Sequence, residues 1–509
     1  GVDSAWTFDD SGVAVSLAVA GHVVSFRYDP AGREIERTTD DGVALTQVFD
    51  AEHQLTGQTV TTPEHRVVQQ RRYHYHPDGQ LTAVEDAVSG PVQYRLDTAG
   101  RVTDVAAADG TEEYRYGPDG IVSEAHRPVS GVPVAGFRSR DAHRFSAPLG
   151  GVYAYDRQGR LVSRQEAGGA WAYSWDPLDR LTGVRTPDGT TWRYHYDPLG
   201  RRIAKQRLTA GPAGPVVAEE VTFVWSGQHL VEQIHRDGQG RLLVLTWDHH
   251  PGTTRPVTQT EHLGEGVRFF SFVTNPIGTP VDLVDSRGVL AWHGTTTLWG
   301  KAKPQRIAGT STPLRFPGQY ADDETGLHYN VFRYYDPATG RYLSQDPLGL
   351  APAPDPVGYV PNPLLQADPL GLGCGGSKEV AGEGDGAARP HEPASDNAAK
   401  VQDTNPTGKL PDNVKKTGDD APHDNGEGPS NKPGDEPGKG KEPETFDDKM
   451  KDYKDKLGVK SDPSVLRIPD DPKITMGTKV KDLPDDMKHN VNPEHEDKTL
   501  GEMMGIDPQ

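Results

Sequence analysis

The chain has 509 residues, a formal net charge of -20 and a single cysteine. Its acidity disfavours wholesale binding to a nucleic-acid backbone, and one cysteine excludes an internal disulfide framework. The length exceeds that of one ordinary domain, and 58 glycines with 43 prolines favour turns and linkers over long helices. No apolar run reaches the roughly 18 residues of a membrane helix, so we expect no membrane span.

A short motif recurs through the N-terminal part of the chain. The motif is an aromatic residue, Asp, a Pro or small residue, any residue, Gly, Arg and then an aliphatic residue, and the copies match it to different degrees. Many copies lie 20 or 21 residues apart. Asp, Pro and Gly supply the chemistry of a tight turn, and the flanking residues alternate between apolar and polar as half-buried strands do. The clearest copies begin at Tyr28, Tyr75, Leu96, Tyr116, Tyr155, Trp175 and Tyr196.

We predict that each copy is a β-hairpin and that successive hairpins pair into one long antiparallel sheet. Such a sheet must twist and close or spiral to protect its edges and one face. The aromatic ladder, for example Trp171, Tyr173 and Trp175, is predicted to pack in the core, with sugar binding as the alternative role. The predicted fold is therefore mainly β, a spiralling antiparallel β-hairpin repeat shell, followed by a disordered linker and a small, mostly helical or irregular tail.

These copies resemble the YD repeats of Rhs-type polymorphic toxins and of their wall-associated relatives. Later segments resemble the Rhs-associated core that ends such repeats, namely Thr279-Pro-Val-Asp-Leu-Val-Asp, Phe316-Pro-Gly-Gln-Tyr, Asp323-Glu-Thr-Gly-Leu-His-Tyr-Asn and Arg333-Tyr-Tyr-Asp-Pro. The resemblance implies a repeat shell over residues 1–265, a core with an autoproteolytic segment over 266–372, and a hollow β-structure enclosing a C-terminal toxin. Because Gly1 already lies within the repeat pattern, we expect the chain to be a fragment or a processed piece of a longer protein, so the lack of a recognisable signal peptide says little about export.

Two identical Asp-Pro-Leu-Gly tetrads, beginning at Asp346 and Asp368, frame the eighteen residues 350–367. If this segment folds back, the two carboxylates can share one proton as an acid/base pair, and Arg333 can orient one of them. The alternative is that both aspartates only form turns, as in the other Asp-Pro-x-Gly segments of the chain.

The resemblance to Rhs cores implies self-cleavage directly after the second tetrad. It assigns Asp346, Asp368 and Arg333 as catalytic residues and Leu372–Gly373 as the scissile bond, with no cofactor and no metal. The segment between the tetrads departs from the family pattern, because Asp355-Pro-Val-Gly stands where the family usually has Gly-Gly-x-Asn-Leu-Tyr-x-Tyr. This additional turn is expected to bear on the efficiency of cleavage.

Residue usage changes abruptly after Leu372. The part before it contains all eight tryptophans and only three lysines, whereas the part after it contains all five methionines and only two arginines. We interpret residues 373–445, which are rich in Gly, Pro and charged residues, as a disordered linker. We interpret residues 446–509 as a small variable, toxin-like module, whose first apolar residues have helical spacing. The alternative is a single domain with a flexible tail.

The C-terminal module offers few residues for chemistry. His489, Glu494 and His495 lie among carboxylates and are the candidates for an effector site, with a nuclease as one option and a solvated charged loop as the alternative. Cys374 is interpreted as a free thiol without a role, the alternative being lipid attachment. The sequence does not identify the effector activity.

We favour a toxin-delivery shell that encloses a C-terminal effector cassette and, by aspartyl autoproteolysis after Leu372, releases it for competition between cells. Such a protein is expected to be secreted or at the cell surface. Its expected partners are its own cassette, an immunity protein and a secretion machinery, with nucleic acid only as a target of the effector. The alternative is a wall-associated adhesion or scaffold protein that binds glycan or protein and is not cleaved. A third option makes residues 446–509 a partner-docking module.

Overall fold

The computed structural model describes residues 3–373, except 118–119, 121, 130–131, 135–137, 142–143, 147–151, 167, 213 and 265. Within these residues the regular elements are β-strands, and no helix there is long and apolar enough to cross a membrane. The predicted linker after Gly373 and the predicted C-terminal module lie outside the described residues. So do Cys374 and the effector candidates His489, Glu494 and His495.

One antiparallel sheet of 28 strands forms most of the described structure. Its first fourteen strands are β1 (Ser4–Phe8), β2 (Ala14–Val19), β3 (His22–Tyr28), β4 (Glu34–Thr39), β5 (Ala44–Phe49), β6 (Leu55–Thr61), β7 (Val67–Tyr75), β8 (Leu81–Asp86), β9 (Val92–Leu96), β10 (Val102–Ala107), β11 (Gly110–Tyr116), β12 (Val122–Val129), β13 (Val132–Val134) and β14 (Arg138–Asp141). Its other strands are β15 (Arg144–Ser146), β16 (Val152–Tyr155), β17 (Leu161–Glu166), β18 (Gly169–Trp175), β19 (Leu181–Arg185), β20 (Thr191–Tyr196), β21 (Arg202–Gly211), β22 (Gly214–Ser226), β23 (His229–Arg236), β24 (Leu242–His249), β25 (Pro256–Leu263), β26 (Gly266–Thr274), β27 (Pro280–Asp285) and β28 (Leu290–His293).

Strands that follow each other in the sequence pair with each other in this sheet. Each strand pairs with the next one from β1 to β12 and again from β14 to β28. Strand β12 pairs with both β13 and β14, and its pairing with β14 joins the two series. Sequential antiparallel pairing is what a series of hairpins produces. The predicted hairpin array is therefore confirmed.

Aspartate side chains close the turns of the repeat. At Asp197, Oδ1 accepts hydrogen bonds from the backbone N–H groups of Leu199 at 3.0 Å and Arg201 at 2.9 Å, while Oδ2 accepts one from Nε of Arg201 at 2.7 Å. Gly200, between them, has a φ of +81°, a conformation that residues with a side chain rarely adopt. The same three bonds recur at Asp29, Asp97, Asp156, Asp176 and Asp237. The Asp and Arg of the motif thus form a structural pair within one turn.

The aromatic residue of each copy connects neighbouring hairpins. The hydroxyl of Tyr116 donates a hydrogen bond to the Val102 carbonyl oxygen at 2.6 Å, and the Arg101 guanidinium lies 4.7 Å from the centre of the Tyr116 ring. Tyr173 and Trp192 belong to the largest apolar cluster and are 5% and 8% exposed. The aromatic ladder therefore packs in the core, as predicted.

The sheet also packs against itself over long distances in the sequence. Phe26 in β3 shares one apolar cluster with Val257 in β25 and Phe269 in β26. Further along, Arg71 in β7 forms a buried ion pair with Asp282 in β27, with 2.6 Å between Nη1 and Oδ2. The last strands of the sheet therefore cover the inner face of the first ones.

A smaller sheet follows the large one. It has four antiparallel strands, β29 (Tyr320–Asp322), β30 (Leu327–Asn330), β31 (Arg333–Asp336) and β32 (Arg341–Tyr342). The predicted boundary between residues 265 and 266 falls in the turn between β25 and β26, which pair along their length. Because the large sheet runs through this position, the division into a repeat shell and a core stays a prediction.

Arg202 in β21 fixes the small sheet onto the large one. Its guanidinium lies 2.6 and 2.9 Å from the two carboxylate oxygens of Asp322, and both residues are fully buried. Lys205 donates to the same carboxylate at 3.0 Å, and the Tyr329 ring covers the Arg202 guanidinium at 4.4 Å. Breaking such a pair would leave an uncompensated charge in the core, so the two sheets are strongly coupled.

Replacing Asp322 with Asn should therefore destabilise the body of the protein. We expect the free energy of unfolding to fall by about 3–5 kcal/mol, because Arg202 and Lys205 lose their shared carboxylate. The matched control is Glu85→Gln, which removes the charge of an exposed pair whose Arg72 Nη1 and Glu85 Oε2 atoms lie 3.7 Å apart. That change should cost less than about 1 kcal/mol. Urea denaturation followed by tryptophan fluorescence measures both losses, and equal losses would contradict the proposed coupling.

Candidate active site

Arg333 brings the two tetrads together. It lies in β31 with an exposed fraction of 2%, and its Nη2 atom is 2.7 Å from Asp346 Oδ2 and 3.2 Å from Asp368 Oδ2. One nitrogen therefore contacts both carboxylates. The three residues singled out in the sequence converge at a single buried point.

The segment between the tetrads folds back because it is anchored at several places. The Pro356 carbonyl oxygen accepts hydrogen bonds from the Asp346 backbone N–H at 2.7 Å and from Arg333 Nη1 at 3.1 Å. Further along, the Asn362 side-chain amide donates to the Gly100 carbonyl oxygen at 3.0 Å, at a turn of the large sheet. The additional turn that begins at Asp355 thus contributes a carbonyl group to the site and displaces neither tetrad.

The tetrad aspartates differ from the turn aspartates by the residue four positions later. In the turn Asp197-Pro-Leu-Gly-Arg, that residue is an arginine, which occupies the second carboxylate oxygen. In both tetrads it is a leucine, Leu350 or Leu372. Each tetrad aspartate still uses Oδ1 for a backbone N–H, from Leu348 at 2.8 Å or from Leu372 at 3.0 Å. Its Oδ2 has no arginine within its own turn and is left for Arg333.

This difference between Asp-Pro-Leu-Gly-Arg and Asp-Pro-Leu-Gly-Leu is readable in the sequence. It separates the aspartates that only form turns from the two that also contact Arg333.

The predicted scissile bond lies close to both carboxylates. The backbone N–H of Gly373 donates a hydrogen bond to Asp368 Oδ2 at 2.8 Å. A Cβ atom placed on Gly373 would lie 3.5 Å from Asp346 Oδ2, so the second carboxylate is also adjacent. The preceding residues are held by backbone contacts, since the Phe332 N–H donates to the Leu370 carbonyl oxygen at 3.1 Å.

Two further residues complete the site, and the sequence analysis missed both. The hydroxyl of Tyr342 donates to Asp368 Oδ2 at 2.7 Å, and its ring centre lies 3.6 Å from the Arg333 guanidinium carbon. Asn330 Nδ2 donates to the Tyr342 hydroxyl oxygen and to the Asp368 carbonyl oxygen, both at 2.8 Å. In the sequence, Tyr342 is one more aromatic residue of an aromatic-rich segment, so no local pattern distinguishes it from a core residue.

Burial sets the protonation of the site. It raises the pKa of the Asp346 carboxyl above its usual value; Arg333 and the Leu348 N–H oppose the rise, and Asp368 adds to it. Burial and the neighbouring Asp368 also raise the pKa of Tyr342 well above its usual value. The Tyr342 hydroxyl therefore keeps its proton and can act as a donor, and Asp346 retains its proton to a higher pH than an ordinary aspartate.

A cavity of about 490 Å³ borders the segment that carries the scissile bond. Asp368, Leu372 and Gly373 are among its lining residues, together with Phe316 and Tyr320. The space is ample for water molecules, which hydrolysis of a peptide bond would consume.

Among the described residues, one group brings three metal-type ligand atoms close together. His22, Asp40 and Asp41 offer atoms within 4.8 Å of one another. His22 Nδ1 lies 3.1 Å from Asp41 Oδ2, and both aspartates are exposed. We interpret the group as a surface ion pair at a turn, and it takes no part in the site around Arg333.

Comparison with known proteins gives a consistent family match. The Teneurin YD-shell family matches residues 22–351. The probable deoxyribonuclease RhsA of Dickeya dadantii is 32% identical over 371 residues, which are 69% of this chain and 24% of that protein. The double-stranded DNA deaminase toxin A of Burkholderia cenocepacia is 32% identical over 323 residues, 59% of this chain and 22% of that protein. The chain thus spans about a quarter of the length of these relatives.

A solved structure shares the fold. The crystal structure of TcdB2-TccC3-Cdc42 matches with a TM-score of 0.58 and 18% identity, over 73% of this chain and 22% of that chain. At this identity the likeness concerns the fold alone. Together with the family match, it confirms the predicted mainly β repeat architecture.

The fit of the second tetrad depends on a glycine opposite it. Gly318 has a φ of +79°, and a Cβ atom there would lie 1.8 Å from the Pro369 carbonyl oxygen. We expect Gly318→Ala to displace residues 368–372 and to speed hydrogen exchange at the Phe332 N–H, which is bonded to Leu370. Mass spectrometry of peptides containing Phe332 measures this exchange.

The matched control for this change is Gly326→Ala. Gly326 has a similar φ of +70°, but a Cβ atom there would meet nothing within 4 Å. Both variants therefore strain the backbone, but only Gly318→Ala also clashes with Pro369. Equal exchange at Phe332 in the two variants would contradict the predicted role of this contact.

Proposed function

This chain belongs to the Rhs/YD-repeat family of polymorphic toxin shells, and we propose that it is a delivery shell that cuts its own backbone between Leu372 and Gly373. The observation that carries the proposal is the contact of one Arg333 nitrogen with both Asp346 and Asp368, directly beside that bond. Two carboxylates that share one cation can hold one proton between them, which is the arrangement needed for acid/base hydrolysis.

The proposed reaction is hydrolysis of a peptide bond. One aspartate, as a carboxylate, takes a proton from water while the water oxygen bonds to the Leu372 carbonyl carbon. The other aspartate supplies a proton as the acid. The bond to the Gly373 nitrogen then breaks, which leaves a carboxyl group on Leu372 and an amine on Gly373. Arg333 holds both carboxylates at fixed positions throughout. Burial raises the pKa of Asp346 above its usual value, which supports Asp346 as the acid.

The product that leaves would be the segment from Gly373 to Gln509. The names of the two curated relatives describe different activities on DNA, although each is 32% identical to this chain over more than 300 residues. This contrast supports a common carrier with an exchangeable cargo. We therefore propose residues 446–509 as the effector, with His489, Glu494 and His495 as candidates for its chemistry and nucleic acid as one candidate target.

The family membership supports delivery of a toxin outside the producing cell, by secretion or at the cell surface. An immunity protein and a secretion machinery are the proposed partners. The alternative of an adhesion protein relied on an exposed aromatic ladder. It loses support because the rings of Tyr173, Trp192 and Tyr194 pack in the core.

The proposal predicts that both tetrad aspartates are required for cleavage. The purified wild-type chain should yield two fragments, divided after Leu372, whereas Asp346→Asn and Asp368→Asn should each remain at 55.3 kDa. Intact-mass analysis and a denaturing gel distinguish these outcomes.

The control is Asp197→Asn, which alters the same four-residue motif in a turn where Arg201 is the partner. We expect this variant to be cut like the wild type. Cleavage of both tetrad variants at the wild-type rate, or a cut at another bond, would overturn the proposal.

The comparison of the two motifs yields a second prediction. Leu350 is 66% exposed, so an arginine fits there without repacking the core. Leu350→Arg should give Asp346 Oδ2 a partner within its own turn, as Arg201 gives Asp197, and draw it away from the shared Arg333. We expect cleavage to slow at least about tenfold, equivalent to ~1.4 kcal/mol in the barrier. Time courses of cleavage during refolding from urea measure the rate.

Leu350→Gln is the control for this substitution, because it adds a long polar side chain without a guanidinium. It should be cut at the wild-type rate. If the arginine and glutamine variants are cut at the same rate, the residue four positions after the aspartate does not determine whether its Oδ2 atom is bound within its own turn or by Arg333.

A further inference from the structure

We propose that Tyr342, held in place by Asn330, is the positioning residue that makes Asp368 the general base and leaves Asp346 as the acid. This inference rests on the proposed function and adds the direction in which the proton moves. It is argued from the unequal surroundings of the two carboxylates.

Asp368 receives more hydrogen bonds than Asp346. Its carboxylate accepts from the Tyr342 hydroxyl at 2.7 Å, from the Gly373 N–H at 2.8 Å, from the Leu372 N–H at 3.0 Å and from Arg333 at 3.2 Å. The Asp346 carboxylate contacts Arg333 at 2.7 Å and the Leu348 N–H at 2.8 Å. Hydrogen bonds donated to a carboxylate favour its charged form. The negative charge of the pair is therefore best accommodated on Asp368, and the shared proton on Asp346.

The hydrogen bond from Asn330 directs the Tyr342 hydroxyl proton toward the Asp368 carboxylate. It carries one proton, and its oxygen accepts a hydrogen bond from Asn330 Nδ2 at 2.8 Å. The other bond of Asn330 Nδ2 goes to the Asp368 carbonyl oxygen, which can only accept, so the amide is fixed with its nitrogen on this side. The hydroxyl proton is thereby committed to the Asp368 carboxylate.

The aromatic ring is fixed as firmly as the hydroxyl. Its centre lies 3.6 Å from the Arg333 guanidinium carbon, and the Tyr342 backbone N–H donates to the Val357 carbonyl oxygen at 2.9 Å. Tyr342 is 2% exposed and Asn330 is fully buried. Such a side chain loses little additional freedom when it orients a reacting group.

This arrangement gives each proton a defined path. Asp368 takes a proton from the attacking water, and Asp346 donates its proton to the Leu372 carbonyl oxygen as the water oxygen bonds to carbon. The protonated Asp368 then lies 2.8 Å from the Gly373 nitrogen and passes its proton to that leaving group. Asp346 regains its proton when the carbonyl group reforms. Water is consumed, one carboxyl group and one amine are formed, and both aspartates return to their starting states.

The test is the pH profile of cleavage for Tyr342→Phe. The titratable and charged groups around Asp368 are Arg333 from β31, Tyr342 from β32, Asp346 from the first tetrad and Tyr359, whose hydroxyl accepts the Asp368 backbone N–H at 3.4 Å. Tyr342→Phe removes a hydrogen bond that favours the charged form of the Asp368 carboxylate, so the base is less readily available in that form. The variant should be cut at least about tenfold more slowly near neutral pH, and its acid limb should move to higher pH. Chains refolded from urea at a series of pH values and analysed by intact mass give both quantities.

The matched control is Tyr335→Phe. Tyr335 is fully buried in β31, its ring packs against that of Tyr342, and its hydroxyl donates to the Trp299 carbonyl oxygen at 2.9 Å. Its variant should lose a buried hydrogen bond and keep the wild-type acid limb. Asn330→Ala is the second variant, because it frees the Tyr342 hydroxyl without removing it, and it should shift the acid limb in the same direction by a smaller amount.

The outcomes separate this inference from the proposal beneath it. An uncut wild-type chain overturns the proposed self-cleavage and this inference with it. A wild-type chain that is cut, with an unchanged acid limb in both Tyr342→Phe and Asn330→Ala, overturns the inference alone. An equal shift in Tyr335→Phe also overturns it, because the effect would then come from packing and not from the donor.

Discussion

An aspartate that closes a turn has two carboxylate oxygens to satisfy, and in the Asp-Pro-Leu-Gly turns of this chain the residue four positions later decides how. Where that residue is arginine, as in the turn from Asp197 to Arg201, both oxygens are satisfied locally and the turn serves the sheet. Where it is leucine, one oxygen remains for a partner elsewhere. The contact of both tetrad carboxylates with Arg333 follows from this local difference.

The body contains two buried guanidinium sites with different charge balance. At Arg202, two cations (Arg202 and Lys205) face two carboxylates, Asp322 and Glu324, and the charges cancel. At Arg333, one cation faces the carboxylates of both tetrads, so one negative charge is in excess unless a proton is held. The first site holds the large and small sheets together. In the proposed function, the second site holds a proton that can be moved between the two aspartates.

The sequence was sufficient for whatever depends on local pattern. Turn chemistry and alternation predicted the hairpins, and matching motifs with an upstream arginine predicted that Asp346, Asp368 and Arg333 would be grouped. The packing of Phe26 against Phe269 was not predictable, because it depends on how far the whole sheet curves. Tyr342 and Asn330 were missed for a related reason: each is an ordinary core residue until the second tetrad folds back onto it. The turn at Asp355 looked like an obstacle and proves to be part of the support.

The anchors of the returning segment have a mechanical consequence. Asn362 is tied to Gly100 in the large sheet, and Leu370 is tied to Phe332 in the small one. Both attachments precede the bond between Leu372 and Gly373. A cut at that bond would end the covalent continuity of the chain, while residues 350–372 stayed attached to both sheets. If the proposed cut occurs, detaching residues 350–372 from the two sheets and cutting the chain are separate events. A force or partner that loosens this segment would then act on a chain that is already cut after Leu372.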